Sequence, residues 1–191
     1  MQQLTEIRWH ARAGQGAVTA AKVVAETALS ADKYMQAMPE YGPERMGAPI
    51  KAFTRISDVP IEIHNNIENP DIVVVLDESL LDIVDVTEGI ASDGVIIVNT
   101  CSPAADVKRA LKVADTVKVA TVDASGIAVD TIKRDIPNTP IVGALIKVRP
   151  AIDMEVFKSL LAKNLSKKFG QDMIDANWAA VDRAFEEVQV A

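Results

Sequence analysis

Few residues in this chain are placed to do covalent chemistry. A carboxylate such as Asp77 or Glu44 could orient His10 as a general base, with Ser79 or Cys101 as hydroxyl or thiol nucleophile. No spacing ties these residues into a known catalytic arrangement, so each reads as a strand-end polar residue capping a loop. Anion binding has a better basis. Residues 7–22 read as a short apolar strand, a small-residue turn and the opening of an Ala-rich helix. A helix begins with unpaired N–H groups and the positive end of its dipole. Arg12, Gly14, Gln15 and Gly16 could therefore hold a phosphate or a partner's carboxylate. The turn falls short of a dinucleotide fingerprint, because Ala11 and Ala13 stand where a close approach favours glycine and no acid closes the second strand.

Residues 34–49 carry three prolines and two glycines in sixteen positions and read as one long irregular loop. Tyr41, Glu44 and Arg45 within it put an aromatic and two charges on a stiff scaffold, suited to a partner interface or to gripping a phosphate. Cys101 is the chain's one cysteine, so the chain can form neither an internal disulfide nor a cysteine-ligated iron–sulfur cluster on its own. With two histidines, His10 and His64, the composition also argues against a zinc site.

The elements that must position these residues alternate. Residues 50–56 switch between apolar and basic or polar, which predicts a strand with one wetter or partner-covered face. Residues 71–77, 94–100 and 116–123 are β-branched runs of the kind buried in parallel sheets. Helices are predicted over 15–29, over 104–114 behind Ser102 and Pro103, and from Ser125 towards Lys133, with Ser79 as a cap candidate after the first of those runs. The remaining third reads as helical over 141–148, 153–169 and 172–190. Trp178, Val181 and Phe185 share a helical face and read as core. The alternation gives an α/β fold: a single Rossmann-like domain over residues 1–191, with a mostly parallel sheet flanked by helices and a helical C-terminal third. Ligands in such folds lie at the carboxyl ends of the strands.

The chain has 191 residues, 49% of them hydrophobic, and a formal charge of −7 without any Lys/Arg block, which disfavours binding to nucleic acid. The first six residues lack a signal-peptide pattern, and no apolar run approaches the ~20 residues that span a bilayer, so the sequence reads as cytoplasmic.

Residues 10–20, followed by 41–49 and 53–56, resemble the gamma subunit of 2-oxoacid:ferredoxin oxidoreductases, most closely the pyruvate type. Residues 71–77, 95–99 and 138–144 continue the resemblance across nearly the whole chain, with Ala11, Ala13 and Met46 as departures. The resemblance implies a part of a larger enzyme. That enzyme performs reversible, coenzyme A-dependent oxidative decarboxylation of a 2-oxoacid and passes electrons to ferredoxin. Thiamine diphosphate with magnesium and 4Fe–4S clusters would sit on alpha, beta and delta type partner subunits. This chain would supply subunit interfaces and part of a coenzyme A site, through Arg12, Gly14, Gln15 and Gly16 and through Tyr41, Glu44 and Arg45. The competing readings are a free-standing nucleotide-binding or regulatory domain and a purely structural subunit.

Overall fold

A computed structural model describes residues 4–40 and 47–191. In chain order the elements are β1 (Leu4–Arg12), α1 (Ala17–Leu29), β2 (Tyr34–Pro39), β3 (Pro49–Ser57), β4 (Ile72–Val75), a short 3-10 helix (Glu78–Asp82), β5 (Val95–Asn99), α2 (Ala104–Leu111), β6 (Lys118–Val122), α3 (Ala124–Ile132), α4 (Pro140–Val148), α5 (Met154–Leu165), α6 (Gln171–Glu187) and β7 (Gln189–Val190). The strands form one sheet in the order β2-β3-β1-β4-β5-β6-β7. Its centre, β1-β4-β5-β6, is parallel, while β3 on β1, β2 on β3 and β7 on β6 are antiparallel.

Period-two alternation in β1 sorts its side chains to two layers. Ile7, Trp9 and Ala11 face a core built with α1, α3, α4, α5 and α6, in which Val181 is fully buried with Trp178 and Phe185 packed against it. A smaller core on the other face is filled from β4 and β5 with Leu80, Val107 and Val117. The buried indole of Trp9 donates to Thr54 Oγ1, whose hydroxyl donates to the Ala21 carbonyl, tying β1, β3 and α1 together without an orphaned polar group. Gly143 allows α4 and α6 to cross closely: a Cβ there would stand 2.2 Å from the Val181 carbonyl oxygen.

The structure corrects several local expectations. Residues 34–39 form a strand, because the glycines and all but one of the prolines of that stretch lie beyond it and Pro39 ends an edge strand. The polar side of β3 is covered by the chain itself at Arg55, while Lys51 on the same side stays partly exposed. Arg55 is 1% exposed, donates to Glu6 Oε1 at 2.7 Å and to the Asn65 carbonyl at 2.9 Å, and is roofed by its own chain. The last helix ends at Glu187 rather than 190. Behind it the chain turns to pair with β6, with Ala191 and Val119 exchanging backbone hydrogen bonds. Asp77, not Ser79, caps the 3-10 helix by accepting from the Ser79 N–H. Among the described residues no helix is long and apolar enough to cross a membrane.

Candidate functional site at the carboxyl edge of the sheet

The chain reverses direction across the sheet between β1 and β4: from β1 it runs out to β2 and β3, then crosses back to β4. Such a switch point opens a crevice at the strand ends, and here it is filled by a polar cluster. The Arg12 guanidinium donates to Ser79 Oγ from Nε (3.1 Å) and Nη2 (2.7 Å) and to the Gly47 carbonyl from Nη1 (3.0 Å), and Nε lies 3.3 Å from Asp77 Oδ2. Gln15 spans the same two strand ends. Its Oε1 accepts the Arg12 N–H at 2.8 Å, and its Nε2 donates to Asp77 Oδ2 at 2.7 Å. Partial burial opposes ionisation of Asp77, but the hydrogen bonds from Ser79 and Gln15, with Arg12 beside them, prevail and hold its carboxyl below the usual range.

The turn itself uses two left-handed glycines, Gly14 (φ 106°) and Gly16 (φ 84°). Gly16 occupies the N-cap of α1 with no side-chain cap. A Cβ at Gly16 would meet the Asn138 amide at 2.6 Å, so the turn before α4 closes over the start of α1. Ala13 donates to the Ala48 carbonyl and accepts from the Gly47 N–H, which fixes residues 47–48 against the turn. The structure thus brings together three stretches widely separated in sequence: residues 12–16, 47–48 and 138. Tyr41, Glu44 and Arg45 lie outside the described residues. What the cluster can do is hold one shape at the rim, where the Arg12 side chain is 30% exposed and Gly14 is open to solvent.

Along the rim, Asn99 at the end of β5 donates to the Leu76 carbonyl and Ser125 Oγ, and accepts from the Ser125 N–H. This latch joins β4, β5 and α3. The sequence points to the carboxyl ends of the strands and to Asp77, but not to Asp77 as the anchor of Arg12 and Gln15. The signal available was an acid directly after a β-branched run.

His10 is not paired with Asp77. It lies on the opposite side of the sheet from α1 and accepts from Arg8 Nε at 3.1 Å. Burial, then the charges of Arg8 and Lys51, push its pKa down to about 3, so it is neutral and a poor general base near pH 7. Cys101 is exposed, and a hydrogen bond with Asp123 and that residue's charge push its thiol up, away from the thiolate a nucleophile needs. Among the described residues no group of three His, Cys, Asp or Glu side chains is placed to hold a metal.

Among the described residues, fold and rim define an α/β protein whose polar cluster braces the strand ends at a switch point. Residues 6–187 match the model of the pyruvate ferredoxin/flavodoxin oxidoreductase family, and the chain belongs to that family. It is similar to the pyruvate synthase subunit PorC of Thermotoga maritima, with 48% identity over 184 residues, covering 96% of this chain and 94% of that one. It is 45% identical over 187 residues to the pyruvate/ketoisovalerate oxidoreductases common subunit gamma of Pyrococcus abyssi, covering 98% of both. The crystal structure of the Thermotoga maritima pyruvate oxidoreductase subunit PORC superimposes with a TM-score of 0.87 at 44% identity over 99% of each chain.

Proposed function

We propose that this chain is a gamma-type subunit of a multi-subunit 2-oxoacid:ferredoxin oxidoreductase, of the pyruvate kind, working in the cytoplasm. The assembly converts a 2-oxoacid and coenzyme A to acyl-CoA and carbon dioxide, reversibly, and passes the released electrons to ferredoxin. The observation that carries this reading is similarity from end to end: 48% identity to a pyruvate synthase subunit with more than nine-tenths of each chain covered. Residues 1–191 act in it as one gamma domain.

In this division of labour the alpha, beta and delta type partners hold thiamine diphosphate with magnesium and the 4Fe–4S clusters. When bound there, thiamine diphosphate supplies the electron sink for decarboxylation. The gamma chain has a solitary cysteine whose thiol is pushed up, which suits no cluster. Its own contribution is a rigid rim. Asp77, Gln15 and Ser79 fix Arg12 so that its outward edge, with Gly14 and Gly16 beside the uncapped start of α1, meets coenzyme A phosphate or a partner carboxylate. Tyr41, Glu44 and Arg45, an aromatic and two charges on a proline-rich stretch, make partner or coenzyme A contacts.

Anaerobic reconstitution tests the reading. With all subunits present, pyruvate and coenzyme A reduce ferredoxin, 2-oxoglutarate and branched-chain oxoacids serve more slowly, and omitting this chain abolishes turnover. Full turnover without it, or a chain that stays monomeric beside the other subunits, overturns the reading.

A further inference from the structure

The outer face of α1 borders a groove of about 570 Å³ whose other walls are α5, α6 and the stretch leading into α4. Its floor is apolar: Val23, Ile132 and Leu161 are buried there, and Leu165 and Met173 are partly so. Phe169 at its end is 41% exposed, a large aromatic left in water. The rim is basic. Lys22, Arg134, Lys167 and Lys168 line it against one carboxylate, Glu26, which is already engaged by Lys22 at 3.7 Å and Asn164 at 3.4 Å. Among the described residues Arg134, Lys167 and Lys168 make no ion pair. On a chain of net charge −7, this concentration of cations runs against the overall balance.

We propose that this groove seats an acidic amphipathic helix of another subunit of the complex. The inference rests on the gamma-subunit reading and goes beyond it by naming the surface and its occupant. Helix-in-groove docking places an apolar stripe on an apolar floor, with Phe169 as a projecting anchor of the aromatic kind that dominates such contacts. Carboxylates along the helix flanks meet the rim cations, which sets orientation and excludes a basic or neutral competitor. A second copy docking through the same patch about a two-fold axis would set these cations against themselves. The cationic rim therefore favours a partner of opposite sign.

The chain is co-expressed with the other subunits of its complex, one of them tagged, and its retention on the tagged subunit is measured across a salt series. The double substitution Lys167→Glu with Lys168→Glu reduces retention at least tenfold, and salt weakens retention of the unsubstituted chain in the same way. Phe169→Ser also weakens retention, by a factor that stays the same across the salt series because the rim cations are kept. Lys108→Glu with Arg109→Glu on α2, against the other core, makes the same charge change and leaves retention intact. Thermal melts of all four chains establish that each is folded. Equal losses in the two double variants, or full retention of Lys167→Glu with Lys168→Glu, overturn the proposal. So does a dimer of the isolated chain that this variant dissociates, which would make the occupant a second copy. Failure of the unsubstituted chain to be retained at all sinks the gamma-subunit reading itself, and this proposal with it.

Discussion

Arg12 at the end of β1 donates twice to the hydroxyl of Ser79, 67 positions away at the start of the 3-10 helix after β4. The Ser79 hydroxyl in turn donates to Asp77 Oδ1 at 2.5 Å, and Gln15 donates to the other oxygen of that carboxylate. The carboxylate is the acceptor at the centre of the cluster. It compensates the Arg12 charge and spares the rim an unpaired cation, so the geometry of the turn depends on Asp77 being ionised.

Asp77→Asn tests that dependence. The amide keeps the shape, loses the charge and places an N–H₂ against a donor. A loss of about 1–2 kcal/mol at pH 7 is expected. Because the native carboxyl titrates below its unfolded value, its stabilisation is present above the ordinary carboxylate range and is lost as pH falls through the folded pKa. Denaturant titrations at neutral and acid pH should show the gap between the two proteins narrowing on acidification. A gap that stays constant would mean that the charge of Asp77 contributes nothing.

His10 gives a second pH dependence on the other face of the sheet. Its folded pKa of about 3 lies below the unfolded value near 6.5, so the unfolded chain binds the extra proton in between. The stability it contributes is complete above pH 6.5 and declines as pH falls towards 3, by about 2–3 kcal/mol at pH 4.5. His10→Gln, which can offer Arg8 an acceptor oxygen, should remove this part of the acid slope. Histidine ring NMR at pH 5 should find the folded imidazole neutral. A charged ring at that pH would remove the basis for the prediction.

The parallel centre of the sheet is legible in the sequence because strands buried on both faces must be apolar throughout, and 72–75, 95–98 and 119–122 have no other way to satisfy their β-branched side chains. The turn at 13–16 is legible because Gly14 and Gly16 supply backbone conformations other residues resist. Elements at the sheet margins are not. The prolines beyond Tyr34–Pro39 conceal an edge strand, and two residues of β7 carry no periodicity. The roof over Arg55 and the anchoring of Arg12 by Asp77 are contacts across long loops. Residue type announces that these side chains need partners, while only the closed chain says which ones.

Gly143→Ala probes the contact that seats the helical third on the sheet. The new methyl would stand 2.2 Å from the Val181 carbonyl oxygen, backbone that cannot rotate away, so α4 and α6 must separate. Ala normally favours a helix interior over Gly by about 0.5–1 kcal/mol. Overpacking by one methyl costs about 1–3 kcal/mol and should win here, lowering the melting temperature by several degrees. A variant as stable as the parent would show that the two helices slide freely.

Arg12 and Arg45 separate the two uses proposed for the rim. Arg12 is held by Ser79, Asp77 and the Gly47 carbonyl, so Arg12→Ala removes a support as well as an outward charge. Arg12→Lys keeps the charge but cannot make the three-way contact, because an ammonium lacks the planar fork. If the rim meets coenzyme A phosphate, Arg12→Ala should raise the KM for coenzyme A about tenfold with kcat little changed, as for the loss of binding felt equally in ground and transition states, and Arg12→Lys should recover only part of it. If it meets a partner carboxylate, both substitutions should weaken assembly and leave the KM of the surviving complex alone. Arg45→Ala is expected to weaken assembly or to raise the KM for coenzyme A, according to which of the two ligands that side chain meets. Steady-state kinetics and sizing of the assembled complex distinguish these outcomes. If both variants leave kinetics and assembly unchanged, the rim has neither role.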